Sequence, residues 1–425
     1  MPISTKLRRL LLVASIAILA APAALAQSAH DRFDALLGQV ATRPTADQQR
    51  ALDAFIAAQR PTFEGFPLRR GNDVTFVYKA KTAGPVSVAG EWNGWRAGAT
   101  PLRRLGQTDV WVAQVTMPAP DRYQYKIVDH GRWVGDPLNR KFAYPDANAV
   151  VNLQGSFKSH LELHPAWRST KLRHARDVIV YVPAGALDGP DRFPVLYMQD
   201  GQNLFDPDSM WGGWGVDETV DGLVSSGAIR RVIVVGIGNT PDRMDEYSPA
   251  KDDNSDSCDG SQVFGGKAPA YADFMIHELK PAIDRIYPTL PDRANTAVLG
   301  SSLGGLVSLW LGVAHPEVFR DAGGMSSTLG VGGWCLHNPR VVDLARQKGR
   351  QDVLFYLDSG GDPTSGDDNY KSTVELKDLL ASQGYTFWPK DPNGHLCHWW
   401  EPGATHDEAH WRARLEKPLL YWFHN

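Results

Sequence analysis

The sequence contains little cysteine, and this limits both crosslinking and metal binding. Three cysteines, Cys258, Cys335 and Cys397, occur in 425 residues. They allow at most one disulfide within the chain and leave one thiol over, and their spacing matches no zinc site. The sequence does not decide which two cysteines pair.

Strong charge of either sign is also absent. The formal net charge is -4, from 44 Lys and Arg against 48 Asp and Glu. Such a mildly acidic chain offers no electrostatic surface to nucleic acid or to an anionic membrane. A content of 43% hydrophobic and 22% charged residues argues against a disordered, fibrous or multi-span membrane protein. The length favours two domains.

Residues 1–26 have the pattern of a cleavable secretory signal peptide. The segment begins with three basic residues, Lys6, Arg8 and Arg9. An apolar run at 10–21 follows, and the segment ends in Ala-Leu-Ala at 24–26. This run is shorter than the about 20 residues that a bilayer requires. The protein is therefore predicted to be secreted or periplasmic and free of the membrane after cleavage, with a retained anchor as the alternative.

Two different patterns of hydrophobicity precede the C-terminal half. Residues 27–66 form an N-terminal segment in which Leu52, Phe55 and Ile56 have helical spacing; they predict one short helix with Thr45 as its N-cap. Residues 67–156 then alternate apolar and polar positions between frequent turns, which predicts a small immunoglobulin-like β-sandwich. The alternating runs lie at 74–78, 86–88, 111–115 and 123–128.

Residues 165–425 show a third pattern, in which short apolar runs alternate with helical stretches. Nearly all-apolar short strands between helices indicate an α/β domain with a mostly parallel, doubly wound sheet covered on both faces. The runs lie at 178–182, 195–198, 232–236, 297–300 and 353–357.

The strongest chemical signal is Gly300-Ser301-Ser302-Leu303-Gly304, which matches G-x-S-x-G. It follows the apolar run at 297–300 and precedes an apolar helical stretch, as the motif requires, because the serine must sit on a sharp strand-to-helix turn. Ser302 is therefore the candidate nucleophile. Ser301 is the neighbouring alternative, but it lacks the centred glycines.

A serine hydroxyl needs a base, and the motif's usual chain order is Ser, acid, His. The histidines near the C-terminus are His395, His398, His406, His410 and His424. We choose His406, because the turn-like Gly-Ala-Thr at 403–405 leads there into a helical stretch and places an imidazole at a loop end. His410, four residues on, is interpreted as a surface neighbour, and no metal pair is expected.

The acid is expected in the loop after the run at 353–357. Four aspartates occur there: Asp358, Asp362, Asp367 and Asp368. Asp362 lies near the strand end, whereas Asp368 heads the next helix and could equally be an N-cap. Asp358 can still belong to the strand. Spacing does not choose, and Asp362 and Asp368 both stay candidates.

Backbone N–H groups are expected to stabilise the developing oxyanion. One belongs to Leu303, at the start of the helix after the nucleophile. The second should come from the loop after an early strand, here Gln199-Asp200-Gly201-Gln202-Asn203. Gln202 is the candidate there.

From about residue 176 to 423 the chain resembles the esterase D-like group of α/β-hydrolases. This group includes carbohydrate esterase family 1 feruloyl and acetyl-xylan esterases and the enterochelin esterases. The matching strings are the segment 194–206, the elbow at 300–305, and His406 followed by Trp411. The resemblance implies that Ser302 and His406 are catalytic and agrees with an acid at 362–368. Relatives often have His-Gly where this chain has Asp200-Gly201, which weakens the assignment of Gln202.

The segment 74–153 resembles a carbohydrate-binding family 48 module of the glycogen-binding, early-set type. The matching strings lie at 90–95, 123–129 and 131–137. In starch-binding members two indoles stack on sugar rings while polar groups reach hydroxyls. The resemblance implies such roles for Trp95, Lys126, Trp133 and Asn148, although many of these modules keep the fold without binding glycan.

Together these features predict an exported serine esterase that removes feruloyl or acetyl groups from plant polysaccharide. A siderophore trilactone esterase of the enterochelin type is the first alternative, and a glycan-binding protein with an inactive hydrolase domain is the second. No cofactor and no metal are expected, because acyl transfer through a serine ester needs neither. The expected partner is the polysaccharide or an aromatic or acetyl ester; the oligomeric state does not follow from the sequence.

Overall fold

The computed structural model of the protein describes residues 27–425. The signal peptide expected at 1–26 lies outside the described residues. No helix within 27–425 has the length and apolar character needed to cross a membrane.

Two helices open the described chain, where the sequence predicts one. They are α1 (Ala29–Val40) and α2 (Thr45–Gln59). The prediction that Thr45 is an N-cap is wrong, since Thr45 is the first helical residue and Pro44 holds the cap position without a side-chain hydrogen bond. Apolar side chains of both helices, Phe33, Leu52 and Ile56, pack against the sandwich residues Val77 and Val110.

The next ten strands form the β-sandwich that the alternating pattern predicts. They are β1 (Leu68–Arg70), β2 (Asp73–Lys79), β3 (Val86–Gly90), β4 (Thr100–Pro101), β5 (Arg103–Arg104), β6 (Val110–Thr116), β7 (Arg122–Asp129), β8 (Arg132–Val134), β9 (Lys141–Ala143) and β10 (Asn148–Asn152). One layer has the order β1-β2-β6-β5, and the other has β9-β10-β7-β3-β4 with β8 on β7. Phe76 of the first layer and Tyr125 and Ile127 of the second meet in the core between them.

The second group of strands builds the main sheet. They are β11 (His160–Trp167), β12 (Arg176–Val182), β13 (Val195–Gln199), β14 (Ile233–Ile237), β15 (Lys251–Asp253), β16 (Val263–Gly265), β17 (Thr296–Ser301), β18 (Asp321–Met325), β19 (Leu354–Ser359) and β20 (Leu396–Trp400). The order is β20-β19-β18-β17-β13-β14-β12-β11, with β15 and β16 as a separate hairpin. Pairing is parallel from β14 to β20 and antiparallel at β12 and β11. The predicted mostly parallel sheet is confirmed.

Helices cover both faces of this sheet. They are α3 (Val216–Ser225), α4 (Arg243–Glu246), α5 (Ala268–Asp273), α6 (Lys280–Ile286), α7 (Ser302–Ala314), α8 (Val341–Lys348), α9 (Tyr370–Ser382), α10 (Glu408–Arg414) and α11 (Glu416–Phe423). Side chains of β12 alternate, so that Val178 and Val180 join a core with α7, α8 and α9, whereas Ile179 and Tyr181 join one with α3 and α11. Burial on both faces explains why the strands read as continuous apolar runs.

The main sheet does not stop at the boundary between the two modules. Strand β9 pairs with β10 on one side and with β11 on the other, where Phe142 lies opposite Leu161. The fully buried Glu162 of β11 accepts hydrogen bonds from Arg140 and from the hydroxyl of Tyr287. A 14-stranded sheet therefore runs through both modules.

One disulfide, Cys258–Cys335, ties the loop of the β15–β16 hairpin to the segment after β18. The buried carboxylate of Asp252 accepts backbone N–H bonds from Gly332 and Cys335 beside it. Cys397 stays a free, buried thiol, and burial raises its pKa to about 12. The pairing left open by the sequence is thus Cys258 with Cys335.

Candidate active site

Ser302 sits on a strained turn between β17 and α7. Its φ of 55° lies in the left-handed region, which is uncommon outside glycine. The neighbouring Ser301 ends the strand and is 6% exposed. The elbow geometry therefore presents Ser302 at the carboxyl edge of the sheet.

The glycines around Ser302 permit close backbone packing. A Cβ on Gly300 would lie 2.5 Å from the carbonyl carbon of Gly304. One on Gly304 would lie 2.9 Å from Cβ of Gln199, and one on Gly305 would lie 2.3 Å from the Ser327 hydroxyl. Real side chains do not tolerate such distances, so the turn requires these glycines.

His406 lies in the loop before α10, at the turn that the sequence indicates. Its Nδ1 is 2.7 Å from Oδ1 of Asp368, whose side chain is only 1% exposed. The imidazole stands edge-on to the Trp411 ring at 5.0 Å. The carboxylate and the indole together fix the ring, which leaves Nε2 for another partner.

Asp362 does not contact His406. It is exposed, and its Oδ1 accepts the backbone N–H groups of Thr364 at 2.7 Å and Ser365 at 3.2 Å. Asp358 belongs to β19 and is fully buried. Of the acids that the sequence left open, the structure places Asp368 against the imidazole.

Ser302 and His406 line one pocket of about 320 Å³. Over residues 27–425 no hydrogen bond joins their side chains, and the Ser302 hydroxyl lies 3.3 Å from Oγ1 of Thr328 instead. Rotation about the Cα–Cβ bond moves a serine hydroxyl between staggered positions, and catalytic hydrogen bonds are often long before substrate binds. Ser302 and His406 therefore share a pocket without a direct hydrogen bond between their side chains.

Gln202 reaches the same pocket from a short turn after β13. The turn approaches β14 so closely that a Cβ on Gly201 would lie 2.5 Å from the carbonyl carbon of Gly236. Leu303 is the second residue of α7, and a first-turn N–H has no acceptor within its own helix. Both candidate oxyanion donors thus border Ser302.

An ion pair supports the turn that contains Gln202. The sequence gives no signal for this pair. Asp200 adopts a φ of 57° and binds Arg243 through two hydrogen bonds of 2.8 Å. Asn239 donates to the same carboxylate at 2.6 Å. Burial opposes the charge of Arg243, yet the bond to Asp200 holds its pKa above the ordinary value. The charge of Asp200 is therefore balanced by that of Arg243.

The pocket walls are aromatic and slightly acidic. Trp214 and Trp411 are almost buried and lie 5.6 Å apart, whereas Trp211 is 65% exposed at the edge. Glu408 is the other acid of the lining, and burial, aided by Asp407 and Asp200, raises its pKa. This lining suits an uncharged group with a flat apolar part.

On the sandwich, the two candidate indoles form a partly exposed pair. The rings of Trp95 and Trp133 lie 6.3 Å apart at an angle of 39°, and Trp133 is 46% exposed. Trp133 pairs with Val128 across β8 and β7. Side chains of directly paired residues share a face, so this pair belongs to the face that also carries Lys126, two residues away.

The two candidate polar residues lie on that same outer face. Lys126 alternates with the core residues Tyr125 and Ile127, so it projects away from the core. Asn148 is 8% exposed and donates to Gln124 Oε1 at 2.8 Å. Asn148 is therefore already hydrogen-bonded, whereas Trp133 is exposed and Trp95 is half-buried.

Known protein families match both modules. Residues 169–421 match the family described as "Putative esterase", and residues 64–144 match "Carbohydrate-binding module 48 (Isoamylase N-terminal domain)". The chain is 23% identical over 252 residues to YbbA of Bacillus subtilis (strain 168), covering 58% of this chain and 92% of that protein.

A second relative is a larger protein. The chain is 29% identical over 256 residues to the endo-1,4-beta-xylanase/feruloyl esterase of Xylanibacter ruminicola, and the match covers 56% of this chain but 28% of that protein.

Two solved structures with a similar fold are named as esterases. A ferulic acid esterase has 21% identity and a TM-score of 0.47, covering 63% of this chain and 99% of its own. The enterobactin esterase FES from Shigella flexneri has 16% identity and a TM-score of 0.45, covering 87% and 97%.

The family match, rather than these distant structures, decides the assignment, because it spans more than half of the chain and contains the elbow. The chain belongs to this esterase family: it is a carboxylic-ester hydrolase with an α/β-hydrolase domain and an N-terminal family-48 carbohydrate-binding module.

Proposed function

We propose that this esterase removes feruloyl or acetyl groups from plant polysaccharide through a Ser302–His406–Asp368 triad. One observation carries the proposal: Ser302, on its strained elbow, shares a pocket with His406, and Asp368 holds that imidazole at 2.7 Å. This is the constellation that activates a serine toward an ester carbonyl.

The reaction proceeds in two acyl transfers. His406 Nε2 takes the proton as Ser302 Oγ attacks the carbonyl carbon, and the N–H groups of Leu303 and Gln202 donate to the oxyanion. The bond to the alcohol then breaks, and His406 gives its proton to the leaving oxygen. Water then attacks the acyl-serine in the same way, which releases the acid and restores the Ser302 hydroxyl. Asp368 accepts the Nδ1–H throughout and stabilises the imidazolium.

The pocket lining supports a neutral, flat acyl group. The exposed indole of Trp211 offers apolar surface to a planar ring such as feruloyl, and the nearly buried Trp214 and Trp411 also line the pocket. The 29% identity to a protein named as a xylanase and feruloyl esterase supports the same substrate class. An acetyl group is uncharged as well and needs only part of this space.

The charge of the pocket disfavours the siderophore trilactone alternative. Ferric catecholates are strongly anionic and require cations that are free to bind them. The one arginine among the lining residues, Arg243, is paired with Asp200, and Glu408 adds a second acid. The intact Ser302, His406 and Asp368 likewise disfavour an inactive hydrolase domain.

We also propose that the sandwich binds glycan through Trp95 and Trp133. Their tilted rings, of which Trp133 is exposed and Trp95 half-buried, form a surface on which sugar rings can stack, with Lys126 on the same face for hydroxyl groups. Affinity electrophoresis in gels containing xylan or soluble starch tests this. Wild type should be retarded and Trp133→Ala should not; equal mobility of the two in every gel contradicts glycan binding here.

Export is proposed with the same function, because the substrate lies outside the cell. The Cys258–Cys335 disulfide supports an oxidising compartment. N-terminal sequencing of protein from periplasmic and culture fractions should find Gln27 as the first residue. A chain that retains residues 1–26 in the cytoplasm contradicts this proposal.

The deciding experiment compares Ser302→Ala with Ser301→Ala. The substrate panel is p-nitrophenyl acetate, methyl ferulate, acetylated xylan and a catecholate trilactone. We expect Ser302→Ala to abolish hydrolysis and fluorophosphonate labelling without loss of folding, whereas Ser301→Ala keeps the elbow hydroxyl and retains activity. Full activity in Ser302→Ala overturns the proposal, and a preference for the trilactone overturns the substrate class.

A further inference from the structure

The buried carboxylate of Asp368 makes more contacts than the one to His406. Its Oδ1 faces the imidazole, while its Oδ2 accepts the Ser326 hydroxyl at 2.7 Å and the backbone N–H of Gly360. Each oxygen therefore has a separate task, since one orients the histidine and the other anchors the acid.

Ser326 has no freedom in the direction of its proton. Its Oγ accepts the indole N–H of Trp411 at 3.0 Å and Nη2 of Arg414 at 3.0 Å. A serine hydroxyl has two acceptor positions and one proton, so two incoming donors leave the proton for Asp368. The φ of 48° at Ser326 helps to aim the side chain at this point.

Arg414 supplies the positive charge behind the carboxylate. Its side chain is 2% exposed, and Nη2 lies 3.1 Å from Oδ1 of Asp358 and 3.8 Å from Oδ2 of Asp368. Burial opposes its charge, yet Asp358 holds its pKa above the ordinary value. Its Nε and Nη1 have no hydrogen-bond partner within the described chain. Burying a guanidinium costs free energy unless its charge is paired. The polar contacts of Arg414 run through Nη2 to Asp358, Asp368 and Ser326.

We propose that Ser326 and Arg414 are positioning residues of this esterase. Ser326 fixes the orientation of Asp368, and Arg414 places a positive charge behind the carboxylate that holds His406. This inference rests on the proposed triad. Neither residue touches the space in which the ester reacts, because neither lines the pocket of Ser302.

Removal of the Arg414 charge has a defined electrostatic sign. The charged and titratable groups behind the acid are Arg414, Asp358 and Tyr356. Those that line the pocket together with the imidazole are Glu408 and the paired Asp200 and Arg243, and Asp407 follows His406 in the chain. A positive charge disfavours proton uptake nearby, so its removal should move the acid limb of kcat/KM to higher pH.

The test measures kcat and KM for p-nitrophenyl acetate between pH 4 and 9. For Arg414→Met we expect the acid limb to rise by about one pH unit and kcat at neutral pH to fall about 10-fold or more, with KM within about twofold. Arg414→Lys keeps the charge and should restore the wild-type limb. Arg412→Met, an exposed position on the same helix that pairs with Glu218, is the control and should leave the profile unchanged.

Ser326→Ala is the second variant and carries the test if Arg414→Met does not fold. It removes one donor to the Asp368 carboxylate, so the limb should again move upward and kcat should fall. Folded variants whose acid limb coincides with that of wild type overturn the inference. If Ser302→Ala is inactive at the same time, only the positioning role fails; full activity in Ser302→Ala overturns the proposed function itself.

Discussion

Nδ1 of His406 and Oδ1 of Asp368 lie 2.7 Å apart, although 38 residues separate them in the chain. The contact joins the loop after β19 to the loop before α10, both at the carboxyl edge of the sheet. This contact distinguishes Asp368 from the other aspartates of its loop, and mutagenesis of the separate aspartates can measure that difference.

Asp368→Asn should lower kcat by about 10³- to 10⁴-fold, because an amide in place of the carboxylate no longer fixes the productive tautomer of His406. Asp362→Asn is the matched control and should stay within about twofold of wild type, since its contacts are to the backbone of its own turn. Steady-state kinetics on p-nitrophenyl acetate measure both. Equal small losses in the two variants would place the acid elsewhere.

Trp211→Ala should affect aromatic esters more than acetyl esters. The indole borders the Ser302 pocket and is 65% exposed, so it can cover a feruloyl ring that an acetyl group does not have. We expect kcat/KM for methyl ferulate to fall about 10-fold, which corresponds to a loss of about 1.4 kcal/mol. The value for p-nitrophenyl acetate should change less than about threefold.

Met210→Ala is the control for this change. Met210 precedes Trp211 and is 87% exposed, but it does not line the pocket. Both substrates should therefore react with it at the wild-type rate. An unchanged ratio of the two substrates in Trp211→Ala would show that the ring binds elsewhere.

Asp321→Asn should change how the free energy of unfolding depends on pH. Burial raises the pKa of Asp321 to about 7, against the opposing charge of Arg320. Between about pH 4 and 7 the folded state therefore holds a proton that the unfolded state has lost, so wild-type stability falls as pH rises. Urea unfolding from pH 5 to 7 should show the difference between wild type and variant changing by about 1 kcal/mol per pH unit.

Asp73→Asn controls for general effects of charge removal. The side chain of Asp73 is 44% exposed, and hydrogen bonding to Thr116 lowers its pKa. The contribution of this carboxylate to stability is lost only as pH falls toward that lowered pKa, so the effect of Asp73→Asn should not change above pH 5. Parallel pH profiles for wild type and Asp321→Asn would contradict the raised pKa.

The double variant Cys258→Ser/Cys335→Ser should lower the free energy of unfolding by about 2–4 kcal/mol, since the crosslink closes a loop with a sequence separation of 77 residues. Urea midpoints measure the loss. Free thiols are counted by unfolding the protein without reductant and adding a thiol reagent. Wild type should react at Cys397 alone, and Cys397→Ser is the control for that count. Reaction at Cys258 would mean that the bridge is not formed.

The sequence predicts most of the fold, because strands buried on both faces must be apolar at every position and amphipathic strands must alternate. The runs at 178–182 and 195–198 fall within β12 and β13 for that reason. It does not predict α1, nor that β9 joins the two modules into one sheet, since pairing between distant segments leaves no local periodicity.

For the site, the sequence alone determined Ser302 as the candidate nucleophile. Strand, Gly-x-Ser-x-Gly and helix are consecutive, so the elbow is encoded by neighbouring residues. Only the tertiary structure decided that Asp368 rather than Asp362 meets His406, that Cys258 meets Cys335, and that Arg414 stands behind the acid. Those contacts depend on where loops from different strands meet at one edge of the sheet, and the spacing of residues along the chain does not indicate which loops meet.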